Sequence, residues 1–508
     1  MADGQLTART VSKMGILSSE SHNSEEYTSV IVVGATGDLA HRKIFPALFA
    51  LYTENHFPKN FQVVGFARSN LSIPDFKFKI AEKLECRSKI APDVCGLEKG
   101  RFLKKLFYVA GSYDSEEAFG VLDEFLAKGE RDWNPAGVHN RLFYFSIPPS
   151  VFLSTARGIS ARARSKNGWT RCIVEKPFGK DRHSSDELSQ GMARLFAEEA
   201  IYRIDHYLGK EVVQNLMVLR FANLIFEPIW NRSTVQSVSI TFKEELGVEG
   251  RGGYFDEYGI VRDVMQNHLL QLLALIAMEP PVSLDAEDVR DEKVKVLRCA
   301  AVLTADDVLV GQYGPGNGTV GYTEDKTVPK GSITPTFAAA VIRVRNRRWD
   351  GVPFYLMCGK GLDGRLAEIR IRFNPVPGNL FADLSGVSGL PNNELVIRVQ
   401  PGEAILLSIV NKIPGLSTKL DNKELDLEYK QTFKGAEIPD AYERLILDVL
   451  HGDKSLFIRS DELEAAWDIF TPVLHYLEAT KAQPVTYPFG SKGPEEAVKA
   501  FRAKHHLK

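Results

Sequence analysis

Apolar runs of five to seven residues, rich in β-branched and aromatic side chains, recur through the N-terminal part of the chain: SVIVV (29–33), FQVVGFA (61–67), LFYVAG (106–111), RLFYFSI (141–147) and RCIVE (171–175). They are largely apolar on both faces rather than alternating, and most of the spacers between them are long enough for crossover helices. This predicts parallel strands covered on both sides, an α/β arrangement. The pattern fades near residue 205. Beyond it, VQSVSITFKEE (235–245), FAAAVIRVRNRRW (337–349), PFYLMCGK (353–360), AEIRIRF (367–373), ELVIRVQ (394–400) and EAILLSIV (403–410) read as strands. Several of these alternate apolar with polar, which suits an antiparallel sheet wetted on one face. Two helical patterns, one beginning near Phe255 and one at 460–479, are expected to pack on that sheet. Ser460 with Glu462 and Glu464 marks the start of the second. The Gly/Pro-rich stretch 311–336 predicts a long loop, and the polar residues 1–29 an unpatterned tail. The chain thus divides into a tail (1–29), an α/β domain (30–205) and a larger α+β domain with a mostly antiparallel sheet (206–508).

Composition narrows the class. Of 508 residues, 44% are hydrophobic and 25% charged, which excludes a long disordered chain. Lys and Arg number 63 against 65 Asp and Glu, a net charge of −2 that makes no bulk attractor for nucleic acid or anionic membrane. LLQLLALIAM (269–278) is too short to span a bilayer, and residues 1–29 lack the apolar core of a secretory signal. The five cysteines (Cys86, Cys95, Cys172, Cys299, Cys358) show no CxxC or metal spacing, so free thiols in a reducing compartment are the default. The expectation is a soluble cytoplasmic protein, an organellar location being left open, with neither nucleic acid nor membrane as partner.

The first strand breaks into Gly34-Ala35-Thr36-Gly37-Asp38-Leu39-Ala40. In a dinucleotide site Gly34 permits the tight turn, Gly37 lets backbone approach a pyrophosphate at the helix N-terminus, and Ala40 lets helix pack on strand. An ordinary glycine turn is the alternative. With that turn the first domain reads as a Rossmann-type coenzyme domain, and Pro46 should kink its first helix. The second strand ends Ala67-Arg68-Ser69, with Arg where a NAD site wants a carboxylate. A guanidinium fits the 2′-phosphate of NADP, although a solvated surface Arg reads the same way.

Three further segments are dense in polar chemistry. Glu175-Lys176-Pro177-Phe178-Gly179 follows a strand, so Lys176 stands at the carboxyl end of the sheet, where ligands bind in such folds, although alone it reads equally as a surface Lys. Arg203-Ile-Asp205-His206-Tyr207-Leu-Gly-Lys210 offers phosphate donors (His206, Tyr207, Lys210) beside a carboxylate able to orient a histidine; a polar linker is the alternative. In RGGYFDEYGIVRDVMQNH (251–268), Asp263 and His268 lie five residues apart, about 140° around an ideal helix, and so do not share a face. They either converge on a ligand from two sides of a groove or belong to an irregular helix. Alone, His268 beside the stripe Leu269, Leu272, Leu273 and Ile276 reads more simply as a satisfied core histidine.

Taken together, GATGDLAHRKIFPAL, the ARS after the second strand, EKPFGKD, RIDHYLGKE and RGGYFDEYGIVRDVMQNHLLQ resemble, in this order and spacing, the glucose-6-phosphate dehydrogenases. WDGVPFYLMCGKGL, NELVIRVQP, DAYERLILDVLHGD and RSDELEAAWDIFTPVLH extend the resemblance over about residues 30–490. It implies oxidation of D-glucose 6-phosphate at C1 to 6-phospho-D-glucono-1,5-lactone, with hydride passing to NADP+, the entry to the oxidative pentose phosphate pathway. Residue by residue, it implies that His268 is the general base and Asp205 its partner. His206, Tyr207 and Lys210 would bind phosphate, with Lys360 reaching in from the second domain. Glu244 and Asp263 would accept sugar hydroxyls, Arg365 and Gln400 line the substrate side, Lys176 bridge sugar and coenzyme, and Arg68 read the 2′-phosphate. No metal is implied, and a homodimer or homotetramer paired through the large sheet is. Animal members of the family hold a second NADP+ on that sheet. Here Arg370 and Arg398 match that site but Leu366, Leu406, Ser408 and Lys492 depart from it, implying a weak or absent second site. A bifunctional hexose-6-phosphate dehydrogenase would need sequence beyond residue 490 for its second enzyme. A coenzyme sensor would have no need of the set Asp205, His206, Lys210, Asp263 and His268.

Overall fold

The computed structural model describes residues 26–87, 89–381 and 390–507, which fold around two sheets. The strands are β1 (Glu26–Val33), β2 (Phe61–Ala67), β3 (Leu106–Ala110), β4 (Val138–Phe145), β5 (Thr170–Val174), β6 (Ile201–Ile204), β7 (Val235–Lys243), β8 (Val308–Gly314), β9 (Phe337–Arg343), β10 (Pro353–Gly359), β11 (Leu366–Phe373), β12 (Glu394–Gln400), β13 (Ala404–Lys412), β14 (Leu420–Glu428), β15 (Phe457–Ile458) and β16 (Val485–Pro488).

The first sheet runs β15–β6–β5–β4–β1–β2–β3, with β1 to β6 all parallel. Every residue of β2, and of β1 after Glu26, is buried, as a sheet covered on both faces requires. The strand order matches the dinucleotide-binding arrangement, so the α/β expectation holds. The division at 205/206 is not a clean cut, however. β15 comes from far down the chain and joins β6 antiparallel, Phe457 opposite Ile204.

The expected tail (1–29) falls largely outside what the structure describes. Residues 1–25 lie outside the described residues, while 26–29 already belong to β1. Polar Glu26 and Thr28, ahead of the apolar run that begins at Ser29, hid that strand start. Ser29 is buried because it has partners: it donates to Glu130 Oε1 at 3.1 Å and accepts from Gln62 Nε2 at 2.9 Å. The first helical segment begins as a π turn (Ala40–Ile44), closed by the Phe45 N–H on the Ala40 carbonyl, and becomes α-helical at Phe45, so the register changes where Pro46 has no N–H to continue it. That is the interruption expected at Pro46.

The second sheet runs β14–β13–β12–β11–β7–β10–β9–β8–β16 and is antiparallel except at β7–β10 and β8–β16. The stretch 311–336 is therefore not wholly loop, since β8 occupies 308–314 between β9 and β16. The glycines there that signalled a loop serve close packing: a Cβ at Gly311 would stand 3.0 Å from the Val485 carbonyl oxygen. The pattern near Phe255 becomes a short turn (Gly252–Asp256), a π segment (Val261–Leu269) and an α-helix (Leu270–Ala277), with the π segment packed against β7, β9 and β10. The helix Ser460–Ala479 starts where expected but packs elsewhere. Its neighbours are the helices Arg182–Ala193 and Ala286–Cys299 and the π segment, and Trp467 Nε1 donates to the Phe178 carbonyl oxygen at 3.1 Å.

Under that helix lies a buried polar triad. Lys293 Nζ meets Glu462 Oε1 and Gln271 Oε1, each at 2.9 Å, and Gln271 Nε2 donates to Glu462 Oε1 at 2.8 Å. The cysteine expectation is corrected as well: Cys86 and Cys95 form a disulfide, leaving Cys172, Cys299 and Cys358 free. Arg87, beside it, pairs with Glu54 and Glu443, tying this segment to the helix Ala441–His451.

Candidate active site

The coenzyme turn has the shape a dinucleotide needs. Gly34 sits at φ +85°, and a Cβ there would fall 2.1 Å from the Ser146 carbonyl oxygen, so only glycine fits. Ala35 is buried beneath the turn, whereas Asp38 points to solvent and Thr36, Gly37 and Leu39 are partly exposed. The helical segment that follows carries no side-chain cap, which leaves its first N–H groups open to an anion. Arg68 is exposed at the end of β2, its guanidinium 5.4 Å from the Tyr113 ring centre. No acidic side chain follows in Ser69-Asn70-Leu71. Donors, space and charge all fit NADP+: the turn and helix start would hold the pyrophosphate, and Arg68 the 2′-phosphate.

Where β6 ends, a tight turn carries Asp205 to Lys210 toward the second sheet, closed by Leu208 N–H to the Asp205 carbonyl at 3.0 Å and Lys210 N–H to the Tyr207 carbonyl at 3.2 Å. Asp205 Oδ1 meets His268 Nδ1 at 2.6 Å and accepts the Tyr207 N–H at 2.9 Å. Both side chains are nearly sealed, His268 at 3% exposure and Asp205 at 1%. Burial alone would raise the Asp205 carboxyl, but His268, His206 and the Tyr207 N–H outweigh it and hold it at about 2. Burial depresses His268, with the charge of Asp205 opposing, so the imidazole is neutral at physiological pH. With Nδ1 facing the aspartate, Nε2 is the nitrogen left to take a proton. Tyr207 lies flat on His268 (4.6 Å between ring centres, 27°) and His206 meets it edge-on at 4.7 Å.

The face-sharing problem resolves through backbone geometry. The segment Val261–Leu269 is a π-helix, whose i→i+5 register brings residues five apart close together rather than about 140° apart. Asp263 and His268 therefore feel each other's charge. Around Asp263 runs a chain of alternating charges. Lys176 Nζ bonds its carbonyl oxygen at 2.5 Å and its Oδ1 at 3.0 Å, while Lys360 Nζ meets Glu244 Oε2 at 2.5 Å and Asp263 Oδ2 at 3.9 Å. Although burial works against it, the two lysines bring the Asp263 carboxyl down to about 2.

A separate polar group forms on the His206 side. Lys210 Nζ and Arg365 Nη2 both donate to Gln400 Oε1, at 3.0 and 3.3 Å. Lys360 thus stands with the carboxylates Glu244 and Asp263, and Arg365 is the cation brought from the second sheet to Lys210. Both Lys176 and Gln400 precede a cis-proline. Two neighbours escaped the sequence reading: Tyr442, whose ring stacks parallel to His206 (5.9 Å, 8°), and Asn267, whose Oδ1 accepts the His268 N–H at 2.6 Å. Tyr442 sits at the start of a helix far along the chain, so no local pattern joins it to the site. Both residues stand in segments that carry the family resemblance, but nothing in their spacing marks them as part of the site.

The chain matches two family models, "Glucose-6-phosphate dehydrogenase, NAD binding domain" over residues 31–215 and "Glucose-6-phosphate dehydrogenase, C-terminal domain" over 217–507. It is 53% identical over 495 residues to the chloroplastic glucose-6-phosphate 1-dehydrogenase of Spinacia oleracea, covering 96% of this chain and 85% of that one. A cytoplasmic isoform from Solanum tuberosum is 49% identical over 474 residues, covering 92% and 90%. Among solved structures, a glucose-6-phosphate dehydrogenase in complex with its substrate glucose-6-phosphate superposes with a TM-score of 0.89 at 45% identity, covering 95% of this chain and 98% of that one. The Mycobacterium avium glucose-6-phosphate 1-dehydrogenase superposes with a TM-score of 0.79 at 31% identity, covering 95% and 97%. Sequence, family models and superposed folds agree over nearly the whole length: the chain belongs to the glucose-6-phosphate dehydrogenase family.

Proposed function

We propose that the protein oxidises D-glucose 6-phosphate at C1 to 6-phospho-D-glucono-1,5-lactone with NADP+, and that His268 is the base. The observation that carries the base assignment is the buried Asp205–His268 bond of 2.6 Å at the meeting of the two sheets. NADP+, when bound, supplies the hydride acceptor; the chain's own residues do the rest. His268 Nε2 takes the C1 hydroxyl proton, and Asp205, ionised throughout, steadies the imidazolium that results. Lys210 and Arg365, with His206 and Tyr207 beside them, anchor the phosphate, while Glu244 and Asp263 accept sugar hydroxyls within reach of Lys360 and Lys176. Gln400, between the two cations, keeps them pointed at one place. Anchoring works mainly by positioning, since C1 must be held against the nicotinamide.

The same reading takes the protein as a homodimer or homotetramer. Support comes from β14, the last strand of the second sheet, which exposes Leu425 and Leu427. Arg370, a match to the second NADP+ site of animal members, is already paired with Glu368 and Glu394, which supports leaving that site out. The test follows reduced-nicotinamide absorbance with glucose 6-phosphate and either coenzyme. Wild type should reduce NADP+. His268→Asn should lose about 10²–10⁴-fold in kcat with KM nearly unchanged, because the base acts in the transition state. Retained kcat with a raised KM would make His268 a binding residue only.

A further inference from the structure

Behind the dyad stands a carboxyl group to which the reading above gives no task. Glu175 follows β5, immediately before Lys176, and is buried. Its Oε1 accepts the Tyr144 hydroxyl of β4 at 2.5 Å. The groups whose charge it shares are Tyr144, Lys176 beside it, Asp205 after β6, Tyr442 at the start of the helix Ala441–His451, and Tyr254 in the turn Gly252–Asp256. Lys176 is the one cation in that set. Burial lifts the carboxyl to about 7, with Asp205 adding to the rise and Tyr144 and Lys176 opposing it. A group that changes charge near neutrality thus lies within the field of a site that must itself take up a proton.

The direction of its effect follows from Lys176. That ammonium lowers the basicity of His268, while Asp205 and Asp263 raise it. When Glu175 is ionised, its negative charge offsets Lys176 and eases formation of the imidazolium. When Glu175 is protonated, only Asp263 is left to offset Lys176, and the ammonium opposes the base more strongly.

We propose that Glu175 is a positioning residue for the oxidation, balancing the Lys176 ammonium as a carboxylate so that His268 can accept the C1 hydroxyl proton. This rests on the reading of His268 as the base. Glu175 exchanges no proton with the sugar: the hydroxyl proton goes to His268 Nε2, and Glu175 alters only the field in which it moves. Two ionisations, of His268 and of Glu175, therefore shape the acid limb of kcat.

The experiment measures kcat at saturating glucose 6-phosphate and NADP+ across the pH range in wild type, Glu175→Gln and Tyr144→Phe. Glu175→Gln keeps an acceptor for Tyr144 and removes only the charge. Its plateau kcat should fall about three- to tenfold with both KM values within about twofold, and its acid limb should follow a single ionisation where wild type falls more steeply. Tyr144→Phe deletes a hydrogen bond that favours the carboxylate, so its limb should move about half a unit to higher pH. The opposite signatures of the two variants separate a charge effect from a general loosening of the fold. A Glu175→Gln acid limb that superimposes on wild type overturns the proposal, as does a Tyr144→Phe limb that stays in place or moves down. Should His268→Asn keep its kcat, the base assignment falls instead, whatever the Glu175 profile.

Discussion

At the end of β2, where a carboxylate would bind a ribose hydroxyl, Arg68 rests exposed over Tyr113. A charge-assisted hydrogen bond to a phosphate contributes about 1.5–3 kcal/mol, so Arg68→Ala should raise KM for NADP+ by about 10–100-fold and leave that for NAD+ within a fewfold. Initial rates with each coenzyme check this, and equal losses on both would make Arg68 structural. The same residue shows what a sequence displays at this scale: a side chain at a strand end announces itself because the strand fixes where it stands. Asp205 and His268 were legible as a pair only through resemblance, since 62 residues of chain separate them and no spacing rule joins them. Lys360 comes to stand next to Glu244 through the parallel register of β7 and β10, which no single segment reveals. Glu175 went unread because a glutamate beside a lysine looks like ordinary surface until burial is known.

Among the elements, the π segment Val261–Leu269 mattered most and was least visible. Its sequence has the apolar spacing of an α-helix, and the π segment lies between β7, β9 and β10 on one side and the helix Ser460–Ala479, which carries Glu462 of the buried triad, on the other. That triad gives a test. Gln271 stands one turn beyond His268, and Lys293 and Glu462 are 1% and 0% exposed, so neither charge can turn to water if the other is removed. Lys293→Met should cost about 3–5 kcal/mol of stability, and adding Glu462→Met should recover most of it. Chemical unfolding followed by tryptophan fluorescence reads both; a double variant no better than the single one would show that the pair is not coupled. The alternating strands β7, β11 and β12 were legible. β14 was not, because LDNKELDLE is polar along most of its length and owes its conformation to its ladder with β13.

For the molecule as a whole, the α/β-then-α+β order could be read from pattern, but the way the halves interlock could not. Two residues, Phe457 and Ile458, are too few to register as a strand, yet they complete the β6 edge, and Phe457 meets the Tyr202 ring edge-on at 4.9 Å. The helix Ala441–His451 arrives with them, burying Leu445, Ile446 and Val449 against the coenzyme sheet's own core. Residues 25–215 expressed alone should therefore lack a cooperative thermal transition and expose apolar surface to a reporter dye, whereas the full chain melts cooperatively. A sharp melt of the fragment would show that the late segments are dispensable. The interlock also sets a schedule during synthesis. A ribosome adds about 5–20 residues per second, so the nascent coenzyme lobe waits roughly 10–50 s after β6 emerges before β15 can cap it. For that interval its open edge is free to pair with a neighbouring chain, which makes this the point in the protein's life where chaperone shielding counts most.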